Sequence, residues 1–136
     1  MISIAQTPPS VVTIESQYDF DTTVARLKQA LMSRGVTVFA DIDQSAAAAQ
    51  AGMTLRPTRL ILFGNPKAGT PIMDANPHAA LELPLRAVVW QDERHAVHVD
   101  YHDAAAVLSD QYGVARALTG ALKKVPVLLH AAVAGE

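Results

Sequence analysis

The sequence predicts an α/β, α+β-like fold: one domain, a two-layer sandwich of about five strands with helices mainly on one face. Three observations carry this. Five short apolar or β-branched runs (11–16, 36–42, 58–63, 85–91 and 96–101) alternate with segments whose apolar residues recur at helical spacing. Asp, Asn, Thr, Gly and Pro stand at the junctions as caps and breakers. The 136 residues, 50% of them hydrophobic, suit one core. A loosely ordered lead-in is expected over 1–10, where Pro8-Pro9 interrupts any periodicity, and a single domain over 11–136.

In chain order, 11–16 reads as the first strand. Asp19 or Asp21 then caps a helix whose Val24, Leu27, Ala30 and Leu31 share one face and which stops at Arg34-Gly35. The second strand, 36–42, precedes a short helix over 44–51, capped by Asp43, whose four consecutive alanines predict close packing on the sheet. The run 58–63 between Pro57 and Gly64 predicts a strand buried on both faces. After it, 78–83 suits a further turn before Pro84.

The runs 85–91 and 96–101 predict an antiparallel hairpin around the four polar residues 92–95. Pairing Gln91 with Ala96 places Trp90, Val97, Val88, Val99, Arg86 and Tyr101 on a core face. Val89, His98, Ala87 and Asp100 then occupy the other. Asp103 caps a helix ended by Gly113, and 114–124 forms a last helix that Pro126 interrupts. The apolar tail 127–133 is expected to pack on the domain or on a second subunit. That tail and the uncovered Leu85, Ala87 and Val89 predict a homodimer.

Charge and composition exclude several classes. A net charge of −2 and 5% aromatic residues leave neither a basic field nor stacking platforms, which argues against nucleic-acid binding. The longest apolar runs are far shorter than a membrane span, and the first ten residues lack a signal-peptide pattern, so no membrane partner and a cytoplasmic address are expected. Zero cysteines remove thiol catalysis and cysteine-ligated metals.

The most distinctive stretch runs from Leu60 to Met73, Leu-Ile-Leu-Phe-Gly-Asn-Pro-Lys-Ala-Gly-Thr-Pro-Ile-Met. Thr70 as N-cap with Pro71 at the first position predicts a short helix over 71–76, leaving 64–70 as a loop at a strand end. Free amides at that helix start, the Lys67 charge and flexible Gly64 and Gly69 offer a seat for a small anionic or amphipathic ligand beside Phe63, with Asn65 and Thr70 adding polar contacts. The glycine spacing is not a P-loop, because Thr70 follows Gly69 where lysine is required. The structural alternative is a connection shaped by turn chemistry alone.

The residues 63–71 and Leu83-Pro84-Leu85, together with Trp90, Tyr101, Asp41-Ile42-Asp43 and Gly52, make the chain resemble the domain-of-unknown-function 302 family over roughly 11–125. The resemblance implies a compact two-layer α/β sandwich, typically dimeric, without an established activity. Glu82 stands where that family usually has aspartate, and Gln44 where it often has histidine.

Two further constellations stand out. His98, Asp100 and His102 alternate, which puts them on one face of a strand with neighbours roughly 6 to 7 Å apart, a donor set suited to zinc, iron or a haem if other ligands converge. Glu82 and Arg86 flank Pro84, and the expected register brings Arg86 near Tyr101, where it would serve either a ligand carboxylate or an ion pair. No serine sits in a nucleophile elbow, so triad catalysis has no support, and no reaction is spelled out. The alternatives to a ligand-binding module are therefore a structural or protein-interaction homodimer, a metal or haem protein, and an enzyme of unknown reaction.

Overall fold

The computed structural model describes residues 6–135. Half of the expected lead-in, residues 1–5, therefore lies outside the described residues. Among these, five strands form one antiparallel sheet: β1 (Val11–Glu15), β2 (Thr37–Asp43), β3 (Thr58–Gly64), β4 (Leu85–Gln91) and β5 (Val97–His102), in the order β1-β5-β4-β3-β2. β2 to β5 form a meander, and β1 joins it beside β5. The helices are α1 (Phe20–Ser33), α2 (Gln44–Gln50), α3 (Pro66–Ala75), α4 (Ala104–Tyr112), α5 (Arg116–Thr119) and α6 (Lys124–Val133), with 3-10 helices over Pro77–Glu82 and Gly120–Lys123.

One face of the sheet carries the core. Ile61, Phe63, Leu85, Ala87, Val89, Val97, Val99 and Tyr101 are buried there against Leu27 and Leu31 of α1, Ile72 of α3, Leu108 of α4, and Leu129 and Val133 of α6. At about 25 cal/mol per Å², burial of such side chains is the main stabilising contribution. Helix starts follow the expected chemistry: the carboxylates of Asp19, Asp43 and Asp103 accept from the amides of Thr22, Ala46 and Ala106. Gly113, with φ of +65°, closes α4 in the left-handed conformation expected of a C-terminal glycine. The Arg26 Nε–H donates to the Ala132 carbonyl at 2.7 Å, fastening α1 to α6.

The hairpin register differs from the expected one by a single residue. Asp92, not Gln91, faces Ala96: the Asp92 amide donates to the Ala96 carbonyl, and the Asp92 carboxylate accepts from the amides of Arg94 and Ala96. The loop is thus Glu93-Arg94-His95, a three-residue turn closed by His95 at φ of +68°. Val89 then opposes Val99, Ala87 opposes Tyr101 and Trp90 opposes His98. Because side chains alternate faces, this slip exchanges the two faces of β4. Leu85, Ala87 and Val89 are core, whereas Arg86, Val88 and Trp90 lie on the open face.

Further expectations are corrected. α2 has no buried residue, so its alanines do not pack closely on the sheet; the short helix is held by the Asp43 cap and by the Thr58 amide on β3, which donates to Ser45 Oγ at 3.3 Å. β3 is buried on its helix side at Ile61 and Phe63 but only half-buried elsewhere, because nothing among the described residues fully covers the open face. The single helix expected over 114–124 is a succession of α5, a 3-10 turn and α6. Pro126 does not break α6, because it stands in the first turn, where its missing N–H has no intrahelical partner to lose. The apolar tail is the body of α6 and packs on its own domain through Leu129, Ala132 and Val133.

Candidate functional site

A cavity of about 460 Å³ opens between the core face of the sheet and α4 to α6. Its interior is apolar, built from Phe63 on β3, Leu85 on β4, Tyr101 on β5 and Leu122 and Leu129 from the C-terminal helices. Thr119, 1% exposed, supplies a buried hydroxyl that shares a hydrogen bond with Ser109 at 3.0 Å. Charges gather at the margin: Arg86, Arg116 and Lys123 against Glu82 and Asp103.

Three of the margin's charged groups, Glu82, Arg86 and Arg116, already have partners. The Tyr112 hydroxyl donates to Glu82 Oε2 at 2.6 Å, and this bond to the carboxylate raises the Tyr112 phenol above its ordinary value. Glu82 Oε1 lies 3.6 Å from Arg86, the ion pair expected from their positions around Pro84. Arg116 is an exposed, loose partner of Asp110 at 3.7 Å. The Tyr101 hydroxyl meets His130 Nε2 at 3.0 Å, and burial, followed by the Asp103 charge, pushes its phenol up.

Of the nine residues singled out as ligand contacts, four line this cavity: Phe63, Glu82, Arg86 and Tyr101. Arg86 does not oppose Tyr101, as expected; it pairs with Leu62 on β3 and reaches the margin from the open face. Gly64, Asn65, Lys67, Gly69 and Thr70 lie elsewhere, and most of them are not in a loop. Gly64 ends β3, Asn65 is the N-cap, and α3 already begins at Pro66, five residues before the expected start.

Burial explains that earlier start. Beginning at Pro66 turns Ala68 and Ile72, four residues apart, toward the core, where Ile72 is fully buried. Pro71 is carried inside the helix at the loss of one backbone hydrogen bond. The amides at the start of α3 are occupied: Lys67 N–H donates to Asn65 Oδ1, and Ala68 and Gly69 N–H donate to the Asn65 carbonyl. Lys67 and Thr70 are exposed.

His98, Asp100 and His102 do share the open face, since β5 continues through His102. Each has its own partner. His98 Nε2 meets Asp92 Oδ2 at 2.8 Å, which lowers the Asp92 carboxyl; Trp90 Nε1 donates to Asp100 Oδ2 at 3.0 Å; and His102 Nδ1 meets Ser10 Oγ at 3.1 Å. No group of three metal-ligating side chains converges among the described residues.

Sequence reasoning missed Thr119, Arg116 and Lys123. No periodic signal marked the two cations, because the segment that carries them is a short α-helix followed by a 3-10 turn and not the single helix expected.

The fold and this cavity define a single-domain α+β protein with a meander sheet covered by helices on one face. The chain belongs to the family described as "Domain of unknown function DUF302", whose model matches residues 12–132. It resembles, with a TM-score of 0.77, a crystal structure of an uncharacterized conserved DUF302 protein from Bacillus stearothermophilus, covering 93% of this chain and 98% of that one. At 17% identity this likeness shows the fold alone.

Curated relatives include "Fluoride-specific ion channel FluC 1" of Brucella suis and of Brucella abortus, each 39% identical over 95 residues, 70% of this chain. The match spans 37% and 35% of those proteins, so the chain corresponds to little more than a third of their length. Among the described residues of this chain, no helix is long and apolar enough to cross a membrane.

Proposed function

We propose that this protein is a cytoplasmic small-ligand-binding module that takes an amphipathic anion in the cavity beneath α4 to α6. The observation that carries the reading is the pairing of an apolar interior with Lys123, Arg116 and Arg86 at the margin. An apolar tail gains by leaving water among Phe63, Leu85 and Leu129, and a carboxylate or phosphate head stays with the cations. The cavity volume of about 460 Å³ falls within the range of small-molecule sites. The cavity is favoured over the start of α3, because the first amides of that helix are already bonded to Asn65.

A thermal-shift screen with medium-chain carboxylates and organic phosphates tests this. A ligand at about a hundred times its dissociation constant adds nearly 3 kcal/mol of stability. The shift should shrink in Lys123→Ala and disappear in Ala106→Phe, which fills the cavity, while Lys67→Ala retains it. Absence of any shift in the wild type, or equal shifts in all variants, removes the reading.

A second reading is a homodimer joined through the open sheet face, where Leu60, Leu62, Val88 and Trp90 are only half-buried. Sedimentation at tens of micromolar decides it, and a monomer there excludes it. The names of the curated relatives support a third, a domain that works alongside a fluoride-specific channel. Deleting this protein should then raise a cell's sensitivity to fluoride, and unchanged growth would end that reading.

A further inference from the structure

We propose that the groove on the open face of the sheet is a second binding site, for a small aromatic amine held by its protonated nitrogen at Asp100 and by its ring along Leu60, Val88 and Trp90. The groove encloses about 530 Å³ on the face opposite the cavity described above. The inference does not depend on that cavity.

Asp100 is the charged group at the centre of the groove. Its Oδ2 accepts the Trp90 indole N–H at 3.0 Å, but its Oδ1, shielded from solvent, meets no donor among the described residues. A shielded carboxylate oxygen without a donor is a cost that folded proteins normally avoid. An acceptor-only oxygen is complemented by a donor, and a cationic donor gains charge assistance that a neutral one lacks. An anion would be repelled there.

The apolar part of the ligand follows from what surrounds that oxygen. Val88 lies directly opposite Asp100, and Trp90, two residues farther along β4, reaches the carboxylate itself through its indole N–H, with the Arg56 guanidinium 5.9 Å over the centre of its ring. An amine joined to its ring by a short linker can therefore lay that ring on Leu60 and Val88 beside the indole. The Trp90 ring is held before any ligand arrives: it stacks on His98 at 4.4 Å, and His98 is held by Asp92, the residue that organises the hairpin turn. Such preorganisation lowers the ordering cost of binding. The exposed segment Gln6, Thr7 and Pro8 forms the opposite wall, and because Oδ1 is shielded, a ligand nitrogen reaches it only if a part of the groove wall gives way. Arg86, at the far end of the groove, is turned toward Glu82 and so opposes an incoming cation less than a lone arginine would.

Trp90 is the chain's one tryptophan, so its fluorescence reports on this groove. The full-length protein is titrated with phenethylamine and, separately, with the anionic counterpart phenylacetate. Phenethylamine should give a saturable change and phenylacetate none. Asp100→Asn keeps an acceptor for Trp90 but turns an amide N–H toward the ligand nitrogen, and should weaken phenethylamine at least about tenfold. Lys123→Ala, in the other cavity, should leave the titration unchanged.

If Asp100→Asn does not fold, Val88→Lys carries the test, because its own ammonium competes for Asp100 and should reduce binding by the same factor. Lack of saturation up to about 10 mM, a dissociation constant too weak for a specific site, overturns the proposal. Equal binding of phenylacetate does so too, as does undiminished binding by a folded Asp100→Asn or Val88→Lys.

Discussion

The Tyr112 hydroxyl, at the end of α4, donates to Glu82 Oε2 across 2.6 Å, tying that helix to the 3-10 turn at the mouth of the cavity. The bond is anchored from the backbone side as well, since Asn76 Nδ2 donates to the Tyr112 carbonyl at 2.7 Å. Glu82 in turn faces Arg86. Removing the hydroxyl leaves one carboxylate oxygen without its donor. Tyr112→Phe should therefore lower the midpoint of denaturant unfolding, and Glu82→Gln, which keeps an acceptor, should lower it less.

Asp41 predicts a pH dependence. Its carboxylate accepts from Arg59 Nε and Lys28 Nζ, each at 2.8 Å, and the Arg59 bond holds its acid well below the usual carboxylate range. A group whose folded value is depressed contributes stability that is fully present above its unfolded value, about pH 4, and lost as pH falls through the folded one. Asp41→Asn should destabilise by about 1 to 3 kcal/mol at neutral pH. The gap between variant and wild type should narrow below about pH 4. A gap that is constant down to pH 2 to 3 would contradict the assignment.

The register of the hairpin predicts opposite tolerances for two adjacent valines. Val89 is fully buried against Val99, while Val88 lies half-buried on the open face. Val89→Asp should prevent folding, because an unpaired carboxylate in the core costs several kcal/mol, whereas Val88→Asp should leave a cooperative transition. Circular dichroism and urea melts of the pair separate this register from one shifted by a residue.

Gly69 lies inside α3, where an added Cβ would meet Leu83 Cδ1 at 3.7 Å and Met73 Cε at 3.9 Å, both ordinary contacts. Gly69→Ala should stabilise the protein by about 0.5 to 1 kcal/mol through helix propensity. A loss of stability would mean that this glycine is needed for backbone freedom after all.

His95 closes the hairpin at φ of +68°, a conformation costly for a side chain with a Cβ. His95→Gly should be neutral or stabilising by up to about 1 kcal/mol, and His95→Val destabilising by about 1 to 2 kcal/mol. Thermal melts at one pH compare the two directly.

The sequence by itself determined the five strands, their order and several helix ends, but not the division of the C-terminal segment or the start of α3. The strands, the capping roles of Asp43 and Asp103 and the stop at Gly113 are local: a carboxylate three residues before an amide, or a glycine past a helix end, acts through neighbours along the chain. The Glu82–Arg86 pair was legible for the same reason.

What only the tertiary structure decided is where one local option beat another nearly equal one. Asn65-Pro66 and Thr70-Pro71 are both good helix starts, and the first prevailed because it buries Ala68 and Ile72 in the core. Gln91 or Asp92 can face Ala96, and the observed pairing combines the Asp92 bonds within the turn with the burial of Val89 and Val99 in the core, a contribution that no hairpin contains alone. The cavity belongs to the same class: Phe63, Leu85, Tyr101 and Thr119 are distant in sequence and meet only when the sheet is closed by the last helices.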